Sequence, residues 1–340
     1  MLKFKKPNTI LIIALFLMVA LSSALFLDIL IYGKSPGGEE IEPKTIIFYP
    51  KESFSSLVQK LHKEKLISSP LKFKLYARIK GYGKKILAGE YSFFSTMSPD
   101  QIMDIMIAGK VVLHRVTIPE GSTIRQIAEI LSKADLISQS EFMEAAMDPG
   151  VILENCVEAS SLEGYLFPDT YQFAKMTPAR KIISTISKRF WSVFKAEWKK
   201  EAEKMGYSIH QIITLASIIE KESSIEDERA IVSSVFHNRL KKKMRLESDP
   251  TVIYGIRGFD GNLTRKHLSE STPYNTYRFS GLPPGPIANP GAGSIEAALF
   301  PAKTDFLYFV SKNDGSHLFS EDFARHKLAV SKYQPRKNRK

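Results

Sequence analysis

The chain has 340 residues, 44% hydrophobic and 25% charged, an ordinary globular balance with length enough for two or three compact modules and a real core. Its single cysteine, Cys156, excludes an internal disulfide framework and any multi-cysteine metal site, so stability has to come from packing. The net charge of +12 gathers in Lys195 to Lys204, Arg239 to Arg245 and Arg336 to Lys340, which suits an anionic surface.

Lys3, Lys5 and Lys6 precede a nearly unbroken apolar run from Ile10 to Leu27, extended past Asp28 by Ile29 to Tyr32. That length crosses a bilayer, and the basic flank sets the N-terminus on the cytoplasmic side. Residues 1–8 are therefore expected as a cytoplasmic tail and 9–32 as a single-pass helix in the cell (inner) membrane, with the remainder extracytoplasmic. Nucleic acid then drops out as a partner. A cleaved signal peptide competes, with Ser22 and Ala24 as small residues at a cleavage site, but the apolar run continues past them. Residues 33–44, containing GKSPGGEEIEP, read as a flexible spacer.

From Thr45 to Tyr49 the pattern is a strand, followed by Pro50 and an amphipathic helix over about Ser53 to Lys65. The same design returns about seventy residues later. PKES at Pro50 answers PEGS at Pro119; Leu57 and Leu61 answer Ile127 and Leu131; Leu66 and Ile67 answer Leu136 and Ile137. Between them, Ile86 to Phe94 predicts a strand bent at Gly89, and Ser-Pro-Asp at Ser98 opens a helix to Ala108. The second unit, Val116 to Ile137, resembles a LysM module, which binds amino-sugar glycans; a packing subdomain that binds nothing fits it equally. Residues 45–150 are expected to form this α+β region and 151–340 a second, mixed α/β domain.

LEGYLFPDTYQF, Leu162 to Phe173, reads as an extended segment with one aromatic face, which serves as core or as a cleft wall. Pro178 to Met205 predicts one long surface helix. Ile209 to Ser223, IHQIITLASIIEKES, predicts a helix whose stripe of Ile209, Ile212, Ile213, Ala216 and Ile219 also carries Glu220, at ~100° per residue. Glu222 falls toward the Leu215 and Ile218 edge, so the two glutamates do not face each other. A carboxyl held against hydrocarbon is a general acid in outline; a helix-end carboxylate in solvent or a salt bridge fits the pattern as well. Ser224 with Asp227 predicts a capping box for a helix over Ile225 to Lys241, and Glu226, Asp227 and Glu228 suit its dipole. Arg239 is a candidate for a buried acid or a substrate carboxylate, and Asp249 is first an N-cap and second a site residue.

Pro273 to Gly291, PYNTYRFSGLPPGPIANPG, carries five prolines and three glycines and cannot form helix or central strand. Its low conformational entropy would fix Tyr274, Asn275, Tyr277 and Asn289 in place, with rings against sugar faces and amides against hydroxyls. Ser294 to Leu299 reads as a short helix and Phe306 to Val310 as a buried strand, with His317 and Phe319 after an Asn-Asp-Gly turn. HExxH, P-loop, GxSxG and dinucleotide motifs are absent, and no metal or cofactor is expected. Acids, amides and aromatics remain, the side chains of glycoside cleavage.

EGYLFPDTY from Glu163, LASIIEKES from Leu215, VFHNRL through MRLESDPTVIYG, PYNTYRFSGLPPGPIANPG and PAKTDFLYFV from Pro301 together resemble the membrane-anchored endolytic murein transglycosylases (MltG/YceG-like). The likeness extends over roughly residues 45 to 330. It implies an α+β protein with an N-terminal membrane helix, small duplicated strand-helix (LysM-like) units and a catalytic domain at 151–340. It further implies cleavage of the β-1,4 bond between N-acetylmuramic acid and N-acetylglucosamine in uncrosslinked strands, with a 1,6-anhydro end. Glu220 would be the acid. Glu163, Arg239, Asp249, Tyr274, Asn275, Tyr277 and Asn289 are the expected substrate-binding residues, with peptidoglycan strands and peptidoglycan synthases as partners. A hydrolase pairing Glu220 with Glu163 or Asp249, and a tethered glycan-binding scaffold without chemistry, are the alternatives.

Overall fold

In a computed structural model, residues 9–83 and 85–334 are described; the expected cytoplasmic tail at 1–8 and the basic end at 336–340 lie outside them. Helix α1 (Thr9–Lys34) contains the apolar run, exposed from Ile10 to Leu27, and fits a single-pass anchor. Its last turn is docked. A Cβ on Gly33 would come within 2.1 Å of the Tyr76 ring, the Tyr32 hydroxyl donates to the Ser69 carbonyl at 3.0 Å, and Lys72 pairs with Asp28 at 2.8 Å. The stretch expected as a flexible spacer is held too: the Gly38 N–H donates to the Ser95 carbonyl, and the Ser95 hydroxyl donates to the Glu40 carbonyl, both at 2.8 Å. Glycine serves close approach here, since a Cβ on Gly37 would meet the Leu66 carbonyl oxygen at 2.1 Å.

The chain folds as two compact units, 1–114 with 174–176, and 115–173 with 177–340. In the first, β1 (Lys44–Phe48) runs antiparallel to β2 (Gly89–Phe93), with Lys44 opposite Phe93 and Phe48 opposite Gly89. Helices α2 (Phe54–Lys63), α3 (Pro70–Ile79) and α4 (Pro99–Ile107) enclose a core of Leu57, Leu61, Phe73, Tyr91, Phe93 and Ile102. Ser53, Ser69 and Ser98 cap the three helices through their hydroxyls.

Strand β3 (Leu113–Thr117) pairs with β4 (Thr170–Ala174), and α5 (Ile124–Lys133), α6 (Gln139–Met147) and α7 (Pro149–Glu154) intervene. A strand–helix–helix order therefore occurs twice, and its turn geometry recurs seventy residues on. Lys51 and Gly121 are left-handed at φ 66° and 71°, Lys65 and Asp135 at 56° and 54°, and Ser53 and Thr123 cap α2 and α5. Residues 162–169 form turns, not the expected extended segment, and Tyr165, Phe167, Tyr171 and Phe173 are all buried in the core.

The predicted long helix is two, α8 (Ala179–Val193) and α9 (Ala196–Met205). Phe194 leaves helical geometry at ψ 89°, and this break lets Phe194 and Trp198, rings edge to face at 5.8 Å, both point inward. Helix α10 (Ile209–Glu222) opens on a capping box of Ser208 and Gln211 and is buried continuously from Ile212 to Ile219. It is the axis of this unit, flanked by α9, α11 (Glu226–Lys241), α12 (Asp249–Gly255) and α14 (Ala292–Leu299). The expected Ser224–Asp227 box does not form: Ile225 is the N-cap residue, and the Ser223 hydroxyl closes the turn on the Ile225 carbonyl. Helix α13 (Arg265–Ser269) precedes the proline-rich stretch, which has no helix and whose β pairing is an isolated bridge between Asn289 and Ser122. A hairpin of β5 (Tyr308–Ser311) and β6 (His317–Ser320), then α15 (Phe323–Tyr333), complete the described chain.

Candidate active site

Glu220 lies in the last turn of α10 with its side chain 7% exposed. Its Oε2 accepts the Gly291 N–H at 3.0 Å, where the proline-rich stretch ends, and its Oε1 stands 3.7 Å from Nη2 of Arg229. The turn before α5 closes the other side, where a Cβ on Gly121 would touch Cγ of Glu220 and Cδ of Lys221 at 3.4 Å. Lys221 donates to the Gly121 carbonyl at 3.3 Å. Arg229 also reaches Oε2 of Glu120 at 3.3 Å, so one guanidinium stands between two carboxylates. A carboxyl enclosed this way, with an N–H and a cation beside its oxygens, can give up a proton and have the resulting charge stabilised.

Six of the seven expected binding residues separate into two groups, and Asn275 stands in neither. Glu163 is buried and receives the Ile124 N–H at 3.0 Å, the Tyr254 hydroxyl at 3.1 Å and the Asn289 amide at 3.0 Å. Burial pushes its carboxyl up to about 7, against the lowering pull of those three donors. Asn289, fully buried, also donates to the Ser122 carbonyl at 2.8 Å and accepts the Leu166 N–H at 2.8 Å. The path from Glu163 through Asn289 thus leads, two residues on, to the Gly291 N–H on Glu220. Tyr274, half-buried, lies against Tyr254 with ring centroids 4.8 Å apart.

Arg239, Asp249 and Tyr277 lie elsewhere, around a cavity of about 390 Å³ that they line with Glu222, His317 and His326. The Tyr277 hydroxyl donates to Asp249 at 2.7 Å, and the Ser248 hydroxyl to Glu222 at 2.5 Å. Burial raises Glu222 to about 7. Asp249 is not an N-cap; Ser248 has that position and Asp249 is the first helical residue of α12. Arg239 donates to the Leu307 carbonyl at 2.7 Å and the Leu246 carbonyl at 2.9 Å, and the Asn275 amide donates to the Leu268 and Glu270 carbonyls at 3.1 and 2.6 Å. Both hold loops. A further cavity of about 520 Å³, lined by Tyr165, Trp191, Phe194, Tyr207 and His210, does not include Glu220. Among the described residues no three His, Cys, Asp or Glu side chains converge as metal ligands.

Sequence reasoning missed Arg229, Glu120, Tyr254 and the Gly291 N–H. Glu120 stood inside the PEGS turn, legible only as a repeat feature, and nothing local distinguishes Arg229 from a helix-surface arginine.

A family model described as the YceG-like family matches residues 48–332. The endolytic murein transglycosylase of Bacillus subtilis (strain 168) is 34% identical over 330 residues, 91% of this chain and 91% of that protein. That of Streptococcus pneumoniae serotype 2 (strain D39) is 28% identical over 282 residues, 74% of this chain and 51% of the streptococcal protein. A crystal structure of a yceG-like protein from Listeria monocytogenes aligns with a TM-score of 0.59 at 33% identity, covering 85% of this chain and 100% of the other. A match over that span, with a relative this similar along nearly its whole length, shows that the chain belongs to the YceG-like family.

Proposed function

We propose that the chain is a membrane-anchored endolytic lytic transglycosylase, a lyase that cuts the β-1,4 bond between N-acetylmuramic acid and N-acetylglucosamine in nascent peptidoglycan and leaves a 1,6-anhydro end. Family membership and the murein transglycosylases of Bacillus and Streptococcus support the reaction class. One observation carries the assignment of the acid: Glu220 is nearly enclosed, its two oxygens meeting the Gly291 N–H and Arg229.

Glu220 gives its proton to the leaving glycosidic oxygen, and the C–O bond breaks to an oxocarbenium-like centre. The C6 hydroxyl of the same sugar closes on that centre, and the Glu220 carboxylate takes the hydroxyl proton, which restores the acid. Between the two transfers the carboxylate is held by Gly291 and Arg229. Tyr274 is assigned to substrate contact on the Glu220 side, and Asp249 and Tyr277, bonded to each other at the separate cavity, to contact with a more distant part of the strand. Glu163, Asn275, Asn289 and Arg239 are assigned to holding the loops that present them, because their polar atoms are already bonded inside the protein. Helix α1 anchors the chain in the cell membrane with its N-terminus cytoplasmic, and enzymes that polymerise such strands are its expected partners.

The test is cleavage of uncrosslinked glycan strands by the full chain in detergent. Anhydro ends are expected, and Glu220→Gln should lower the rate by about 10² to 10⁴ with unchanged melting temperature. Reducing ends would make the chain a hydrolase, and no cleavage by the native chain would leave the scaffold reading. Cleavage by Glu220→Gln at the native rate would remove Glu220 as the acid.

A further inference from the structure

The guanidinium beside Glu220 poses a chemical problem. A free arginine next to a catalytic acid would close onto it as an ion pair and keep it ionised, unable to donate a proton. In this molecule Arg229 makes only a long ion pair with Glu220, Nη2 to Oε1 at 3.7 Å and without a hydrogen bond, and lies closer to Glu120 at 3.3 Å, where it does hydrogen-bond. Little else fixes the guanidinium, for its Nε is buried without a hydrogen-bond partner.

Two glycines make room for this arrangement. A Cβ on Gly291 would lie 1.9 Å from Oε1 of Glu120, and one on Gly293 would lie 2.5 Å from Nη1 of Arg229. The Glu120 carboxylate therefore sits over the same residue whose N–H binds Glu220, and neither member of the Glu120–Arg229 pair would fit against a side chain. From these contacts, and resting on Glu220 as the acid, we infer that Glu120 is a positioning residue that holds Arg229 back from Glu220 until the proton has been transferred.

The other charged groups around Glu220 do not substitute for it. On α10 itself, Lys221 is turned to the Gly121 carbonyl and Glu222 to Ser248. Residues 287–291 bring no ionisable side chain, and Glu296 of α14 is exposed. On α11, Glu228 is occupied by His317 at 2.7 Å, while Glu226 and Asp227 are exposed.

The experiment measures strand cleavage by the full chain against pH for native protein, Glu120→Gln, Arg229→Met and the double variant, with Glu220→Gln as control. In Glu120→Gln the rate should fall at least tenfold with little change in KM, and the alkaline fall-off should move to lower pH. Removing the guanidinium as well should restore part of that rate and return the fall-off toward its native position. A merely structural role for Glu120 would leave the fall-off in place and make the double variant no faster than the single. That result, or a native rate and profile in Glu120→Gln, overturns the inference while Glu220→Gln remains inactive. Cleavage by Glu220→Gln would instead overturn the assignment on which the inference rests. Melting temperatures of each variant separate loss of fold from loss of rate, and Glu120→Asp should recover the native pH profile if Glu120→Gln melts early.

Discussion

The turn after β1 and the turn after β3 have nearly the same backbone and opposite employment. In the first, Glu52 receives the Tyr49 N–H at 2.9 Å, the Ser56 hydroxyl at 2.6 Å and Lys60 at 2.8 Å, so the turn closes on its own helix. In the second, Ser122 occupies the corresponding place and bonds Asn289, 167 residues away in sequence. The left-handed position is lysine in the first turn and glycine in the second, where a Cβ would touch Glu220. Local sequence made both turns; long-range partners gave only one of them a place beside an ionisable helix end.

The largest effect that would sharpen this contrast comes from Asn289→Ala. It strands the buried Leu166 N–H, and it takes one donor each from the Ser122 carbonyl, which keeps the Asn289 backbone N–H, and from Glu163, which keeps the Ile124 N–H and the Tyr254 hydroxyl; a loss of about 3 kcal/mol in chemical denaturation is expected, with loss of strand cleavage. Nothing in the first turn has a comparable dependence.

Next comes pH, where Glu163, the buried carboxyl that receives the Ile124 N–H just past the second turn, and Glu52 of the first should respond with opposite sign. Glu163 is raised to about 7 from 4.5 by burial, so the folded state binds its proton more tightly than the unfolded chain. That contribution, ~3 kcal/mol at most, is fully present below pH 4.5 and lost as pH rises through 7. Glu222, also raised to about 7 by burial, adds a loss of the same sign. Denaturation at pH 5 and pH 7.5 should show the fall, and Glu163→Gln should flatten Glu163's share of it. At Glu52, burial pulls upward but the Lys60, Ser56 and Tyr49 bonds win, and its carboxyl is held low. Its contribution is present above the ordinary glutamate range and lost as pH falls through its lowered value.

A mirrored pair of substitutions follows. Gly121→Ala should cost about 1 to 2 kcal/mol, from the left-handed backbone and the contact with Glu220, and should slow cleavage. Lys51→Gly relieves the same backbone strain at an exposed site and should shift the melting point by less than the equivalent of ~0.5 kcal/mol. Equal responses at the two positions would break the comparison. Between those two in size stands Glu52→Ala, expected to cost roughly 0.5 to 1 kcal/mol, less at high salt, without touching the cleavage rate.

Much of the fold was legible because its helices are announced locally. Ser53 and Ser98 cap as their positions predict, and the stripes of α2, α5 and α10 are buried as their spacing requires. The break between α8 and α9 was not legible, since no glycine or proline marks it and the burial of two rings decides it. At the candidate site, one helix's spacing placed Glu220 on an apolar stripe, while its enclosure by Gly121, Gly291 and Arg229 comes from residues outside that helix. The roles of Asn275, Asn289 and Arg239 could not be read, because an amide or guanidinium looks the same in sequence whether its hydrogen bonds go to a ligand or to its own loops. Arg229 and Glu120 are 109 residues apart and meet only in three dimensions.

The docked last turn of α1 has a mechanical consequence. With Gly33 against Tyr76, Tyr32 tied to Ser69, and Gly37 and Gly38 bonded to Met97 and Ser95, the segment between the apolar helix and the first unit behaves as a bracket and not as a leash. If α1 spans a bilayer as proposed, such a bracket would keep that unit at one height over the lipid, and any sugar chain it met would be one passing close to the headgroups. Inserting a single residue at the end of α1 would turn the whole mount by about 100° about the helix axis.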